Sequence, residues 1–439
     1  MEPERHDSNA AGKESAGGLA RPRTLMALIG PGLLLAASGV GAGDLAGAAF
    51  AGMRVGTGIL WAALCGAFFK FVVTEGLARW QLATGTTLLE GAVLRLGRPV
   101  LWFFLCYLLV WTLGVGSSLM SACGVATHAL IPLFSDASQG KVVWGCLLSL
   151  VGVGLVWWGS FRLFERLMGV FVVVMVVVVL TTSLLVRPDW SAVLQGLLLP
   201  AVPQQPDGVE WTLALMGGIG GTLTVLCYGY WIREEGRTGT EDLQLCRIDL
   251  AISYAVMALF GIAMVIIATG MTLSGSGATL LIDLAARLEA LSGSTAKRLF
   301  LVGAWSAVFS SLWGVWQAAP YLFADVWQLI QHNGARDADH LELRPVNTKG
   351  AAYRGYLLFL AFAPMLGMRF DFELVQKVNS VFGALVMPLL AALLLVLNGR
   401  AAWVGPNFQN RWWNALLLIA ILVFFLVVGG PELIASLGF

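Results

Sequence analysis

Eleven apolar runs, most of them 17–25 residues or longer, follow one another along the 439 residues of this chain. A helix of about 20 apolar residues crosses roughly 30 Å of hydrocarbon, and in that medium every backbone amide and carbonyl must find its partner within the chain. The runs lie near 25–50, 56–83, 100–126, 142–160, 165–186, 211–231, 249–272, 298–330, 352–368, 374–397 and 412–429. Composition agrees: 58% of the residues are hydrophobic and 12% charged, where a soluble domain carries about 25% charge. The chain therefore reads as an all-α polytopic membrane protein, with a disordered cytoplasmic tail over 1–24 and one membrane domain over 25–430.

Charge and cysteine remove whole function classes. A formal net charge of +1 leaves no basic face for nucleic acid. The six cysteines lack C-x-x-C spacing and read as small apolar side chains rather than disulfides or a zinc site. No Ser-His-Asp arrangement, phosphate loop or metal-ligand spacing is present, so the chain is expected to be no enzyme. Arg95, Arg98, Arg162, Arg166, Arg233, Arg237, Arg247 and Arg400 fall on one side of the eleven-span threading, while Arg54, Lys141, Arg187, Lys297, Arg298 and Arg369 fall on the other. By the positive-inside rule the N-terminus is cytoplasmic, in an inner (plasma) membrane, and the chain is expected to act as a monomer among lipids.

Within the first run, "ASGVGAGDLAG" (37–47) places four glycines, a serine and Asp44 at mid-membrane. Its counterpart in the sixth run is "MGGIGGTLTVLCYGYW" (216–231). Paired glycine-rich interruptions at corresponding places point to an inverted-repeat transporter whose substrate lies between two broken helices. Spans one to five (about 25–186) and six to ten (about 211–397) would be the repeats, with 412–429 an extra helix. The other reading of the glycines is close packing between helices.

Four stretches carry a family resemblance: "GPGLLLAASGVGAGD" (30–44), "EGLARWQLATGTTLLEG" (75–91), "RPDWSAVLQGLLLP" (187–200) and "CRIDLAISYAVMALFGIAMVI" (246–266). In order and spacing the chain resembles the natural resistance-associated macrophage protein (Nramp) family of metal transporters. The resemblance implies a LeuT-like 5+5 inverted repeat with helices 1 and 6 broken, eleven transmembrane helices and alternating access. It also exposes departures. Where the family has Asp-Pro-Gly-Asn in helix one, this chain has Gly41, Ala42, Gly43 and Asp44. Where it has Met-Pro-His-Asn in helix six, this chain has Thr224, Val225, Leu226 and Cys227. No Asp or Glu occurs between Arg98 and Asp136, where the family's third helix bears acidic residues of its proton pathway.

Losing the soft Met and one aspartate argues against manganese and iron, because Asp44, Cys227 and backbone carbonyls make a thin ligand set. Aromatic plates suggest another cargo. Trp313, Trp316 and Gln317 share one helical face, Tyr228 follows the break in span six, and Asn379 lies early in span ten. With Gly41, Gly43, Asp44 and Thr224 these would bind a small neutral polar solute such as a hexose. Asp44, taken as the one deep carboxylate, and His128 are the coupling candidates, with a proton as the driving ion and no other cofactor. Glu234 and Glu235 are candidates for an inner gate. The expected function is thus proton-coupled transport of such a solute; the alternative is a divalent metal ion (Mg²⁺ or Mn²⁺) importer of Nramp type. Lys70 reads as a structural brace with the Glu75–Arg79 i,i+4 pair, and Trp80, Trp102, Trp190, Trp211, Trp412 and Trp413 as interfacial belt residues.

Overall fold

The structure, a computed structural model, describes residues 25–159, 161–202, 207–271, 277–331 and 346–429. The tail expected over 1–24 lies outside the described residues. Among the described residues the secondary structure is helical throughout. Ten stretches are long and apolar enough to cross a membrane, and they correspond to spans two to eleven. Span one is divided into α1 (Leu25–Gly39) and a second part that runs through a π-helical turn (Gly43–Gly47) into α2 (Ala48–Val55) and on toward α3 (Leu60–Thr84).

Local chemistry sets many of the boundaries. Gly85 ends α3 in the left-handed conformation at φ 71°, accepted without a Cβ penalty. Thr87 and Glu90 then form a capping box that starts α4 (Leu88–Leu96). The chain continues through α5 (Pro99–Leu130), α6 (Ala137–Trp158), α7 (Phe161–Leu185) and α8 (Trp190–Leu198). Asp136 and Asp189 cap α6 and α8 by accepting backbone N–H bonds.

Span six is α9 (Gly208–Gly218) followed, after an irregular stretch and a 3₁₀ turn (Leu223–Leu226), by α10 (Cys227–Glu234). Span seven is α11 (Glu241–Ala268). α12 covers Leu280–Gln331 but is two helices joined at the non-helical Gly293 (φ 83°), and the second of them is span eight. The helix runs on through Pro320. After α13 (Ala351–Phe362), span ten is α14 (Phe372–Ala384) and α15 (Val386–Leu397), and Pro388 explains the joint because its ring has no N–H for the carbonyl of Ala384. The short α16 (Ala401–Val404) precedes α17 (Trp412–Phe424).

The two broken helices sit at the centre. α9 packs on α14, α3, α2 and the π turn, and α1 packs on α7, α11 and α12. Two tryptophans expected at the lipid interface belong to this core. Trp80 and Trp211 are buried, with the indole N–H of Trp80 donating to Thr86 Oγ1, whereas Trp102, Trp190, Trp412 and Trp413 are exposed as expected. Burial follows the helix layout here, since α3 and α9 are inner helices wrapped on several sides.

Candidate functional site

The two breaks meet at their backbones. In span one only Val40 and Gly41 leave the helix, and the amide of Val40 still reaches Ala36 O at 2.8 Å while that of Leu45 reaches Gly41 O at 2.9 Å. Its glycines serve close approach: a Cβ on Gly43 would lie 2.8 Å from Gly218 Cα, and one on Gly39 would lie 3.1 Å from Gly220 C. In span six the interruption is longer, Ile219–Thr222, and Gly220 (φ 79°) and Gly221 (φ 74°) are consecutive left-handed residues. Such angles cost an L-residue about 1–2 kcal/mol each.

Two fully buried charges hold the longer break. Asp44 Oδ1 accepts from Gly220 N at 3.2 Å and its Oδ2 from Gly41 N at 3.3 Å, so one carboxylate ties both interruptions together. Lys70, on α3, donates to the carbonyls of Gly217 (2.7 Å), Ile219 and Gly221. An ammonium has three donors and no acceptor, and here each donor has a carbonyl. Lys70 is therefore a constituent of the break in span six, not a partner of the Glu75–Arg79 brace. That brace is real: Arg79 Nε reaches Glu75 Oε2 at 2.8 Å, and Arg247 joins it at 2.8 Å from Glu75 Oε1.

A cavity of about 30 Å³ lies against the breaks, lined by Gly41, Gly43, Gly218, Gly221, Thr224 and Asn379, with Ser38, Trp111, Thr222 and Ser311 beside them. Its polar atoms are hard: hydroxyls, an amide and backbone groups, with Asp44 directly behind the glycines. Thr224 Oγ1 is buried and has no hydrogen-bond partner among the described residues. Asn379 donates from Nδ2 to Ser118 Oγ at 3.3 Å, which leaves its amide oxygen to accept. The space suits a small ion or a water, since pockets for organic ligands run to about 300–1,000 Å³.

The remaining candidates separate. Trp313 and Gln317 line a second cavity of about 300 Å³ together with Cys227, Tyr230, Glu234 and Tyr321, one turn beyond the 3₁₀ segment. Glu234 accepts there from Tyr321 Oη at 3.1 Å, a position consistent with a gate, while Glu235 is exposed outside that cavity's lining. Trp316 is buried between helices, against Gly152. Tyr228 donates to Asp249 Oδ2 at 3.0 Å, away from both cavities. His128 is buried near the end of α5, packed on Gly140. Cys227 faces the larger cavity, its thiol 3.8 Å from Ala318 O, so it does not join Asp44 in one ligand set. Among the described residues no cluster of three His, Cys, Asp or Glu is placed to hold a metal ion.

Asp44 is not the one deep carboxylate. Asp249, on α11, is buried and accepts from Gly32 N (3.0 Å) and Arg237 Nη1 (3.1 Å). Arg237, in the charged loop after α10, is buried against Cys246 and Asp249 of α11. Asp325, on α12, is buried and accepts from Tyr230 Oη, with Thr87 Oγ1 at 3.5 Å. The available signal was depth in an apolar helix, which requires a donor from elsewhere; Asp325 lies within span eight as read from the sequence.

The family model described as natural resistance-associated macrophage protein-like matches residues 32–434. The chain belongs to that family. This Nramp chain is 26% identical over 323 residues to the divalent metal cation transporter MntH of Deinococcus radiodurans, covering 70% of this chain and 72% of the relative. It is 26% identical over 251 residues to MntH of Chromohalobacter salexigens, spanning 55% of this chain and little more than half, 56%, of that relative. Among solved structures it resembles the Eremococcus coleocola manganese transporter, with a TM-score of 0.70 at 17% identity over 92% of this chain and 85% of that one. The likeness shows the shared fold, the LeuT-like inverted repeat with broken helices one and six. Family members are transporters, not enzymes. The hexose expectation is overturned: the named relatives of this Nramp chain are divalent metal cation transporters, and the structure it resembles is a manganese transporter. The geometry gives the physical reason, for the aromatic plates and the breaks do not share one sugar-sized pocket.

Proposed function

We propose that this Nramp chain carries a divalent metal ion, Mn²⁺ or Mg²⁺, by alternating access through the junction of its two broken helices. The observation that carries this reading is the small cavity against both breaks, where hydroxyl, amide and backbone groups stand among Val115, Leu119 and Val315, with the buried carboxylate of Asp44 tied to both breaks beside it. A hard cation that keeps several of its waters needs only one or two carboxylates plus carbonyl and hydroxyl oxygens, and Gly41, Thr224 and Asn379 offer those. The named MntH relatives support the same class of cargo. The larger cavity ending at Glu234 and Tyr321 serves in this reading as the inner vestibule, the side to which the distribution of arginines assigns the cytoplasm. On the same basis its N-terminus is cytoplasmic, and we take the chain as a monomer in the inner membrane. The repeats then run over about 25–186 and 211–397, with 412–429 outside them. We take the proton as the driving ion and Asp44 as the group that carries it.

Proteoliposomes containing the full chain test the reading by uptake of Mn²⁺, and of Mn²⁺ against excess Mg²⁺. Saturable uptake driven by an inward proton gradient is expected. Asp44→Asn keeps the shape and removes the charge, so it should lower uptake at least tenfold and abolish the dependence on pH. Asp44→Ala should weaken cation binding as well, because no side-chain oxygen replaces the lost carboxylate. Absence of uptake of either ion by folded wild-type protein, or wild-type uptake by both variants, defeats it.

A further inference from the structure

We propose that Lys70 is a resident cation: its ammonium fills a carbonyl cluster in the break of span six that would otherwise bind a small monovalent ion, and it balances Asp44 across that break.

The cluster has the form of a cation site. The carbonyls of Gly217, Ile219 and Gly221, on alternate residues, converge on one nitrogen. The intervening Gly220 gives its N–H to Asp44 instead, so successive peptide groups are divided between a positive and a negative partner. The left-handed angles of Gly220 and Gly221 make this turn possible, and Gly217 and Gly218 close α9, where the last carbonyls of a helix lack partners and carry its negative pole. A cation is favoured there by both effects. Lys70 supplies it from α3, about 150 positions away in the chain, and supplies it permanently.

Charge balance points the same way. Asp44 and Lys70 are each fully buried and attract one another electrostatically, and the carboxylate reaches the same four-residue turn that the ammonium holds. Ionised groups at this depth persist when paired. The pair is neutral as a unit, so no dissolved ion is needed to close the turn. A brace of purely structural kind would be indifferent to dissolved ions once removed; a resident cation leaves behind a vacancy of defined chemistry, three carbonyls with the Asp44 carboxylate bonded to the amide between two of them.

Lys70→Met exposes that vacancy while keeping the apolar stem. The full chain in detergent is heated in NaCl, KCl or LiCl and, at equal ionic strength, in choline chloride, whose cation is too large for the turn. Wild type should give the same unfolding midpoint in all four salts. Lys70→Met should unfold at lower temperature in choline and recover saturably with at least one of the small cations, as mass action requires of a ligand that binds the folded state. Lys70→Met/Asp44→Asn should lose most of that recovery. A Lys70→Met protein that can be purified only in a small-cation salt is the same outcome in stronger form. The proposal is overturned if wild type responds like Lys70→Met, if folded Lys70→Met ignores every salt, or if Lys70→Met folds in none of them. The readout is monovalent and involves no uptake, so it is decided independently of whether the cargo is a divalent metal.

Discussion

The breaks in spans one and six carry similar glycine counts and work by different physics. In span one the helix lapses for two residues and resumes, and the glycines matter for what they lack, a Cβ between two backbones. In span six the chain turns through two positive φ angles, and its loosened carbonyls are held by a lysine from a third helix. One break is a contact surface and the other a small built site. A glycine-rich interruption in a membrane helix thus has two meanings, close approach and backbone reversal, which composition alone does not separate.

Substitutions can break or sharpen this contrast. The largest effect is expected at Gly43. Its Cβ would stand 2.8 Å from Gly218 Cα and 2.9 Å from Gly218 O, both backbone atoms that cannot rotate aside. Gly43→Ala should cost about 1–3 kcal/mol through overpacking and should also disturb the ties of Asp44 to Gly41 and Gly220. Unfolding midpoints in detergent measure it, and an unchanged midpoint would remove the close-approach account of span one. Gly220→Ala comes next. Its φ of 79° costs an alanine about 1–2 kcal/mol, and Tyr254 Cε1, 3.0 Å from the new Cβ, must yield. A Gly220→Ala protein as stable as wild type would show that span six does not depend on its reversed backbone. The smallest effect belongs to Arg54→Gln, beyond α2's core. Arg54 pairs with Glu373 at 2.8 Å from an exposed position, and such pairs contribute about 0–1 kcal/mol. A larger loss would mean that the outer end of span one is held by more than close packing.

The sequence disclosed the breaks because glycine is visible locally, and it disclosed the spans because apolar length is. Gly41, Gly43, Thr224 and Asn379 line one cavity, with Asp44 bonded to the amide of Gly41 beside it, because the breaks that carry most of them were legible as glycine clusters. Lys70 was seen and misread. Its neighbours in sequence, Glu75 and Arg79, suggested an i,i+4 network, whereas its actual partners lie at residues 217, 219 and 221 and are carbonyls, which no side-chain pattern announces. Depth held the clue, since a lysine inside an apolar helix requires an anion or carbonyls at equal depth, and Asp44 was available. Trp313 and Trp316 show the opposite error. Helical spacing placed them on one face, yet Trp313 borders the larger cavity while Trp316 is packed between helices, a difference set by neighbours that periodicity does not specify.

The enclosure of span six has a consequence for how the protein is made. Almost all of α9 and α10 is wrapped by other helices, whereas α6 and α17 face outward over much of their length. During synthesis span six emerges after α1, α2 and α3, on which much of it packs, and before α14, against which α9 lies. Lys70, already in place on α3, is the first partner available to the carbonyls of the glycine turn. The wall that encloses the sixth span is thus built largely from chain that precedes it, and α14 closes the remaining side.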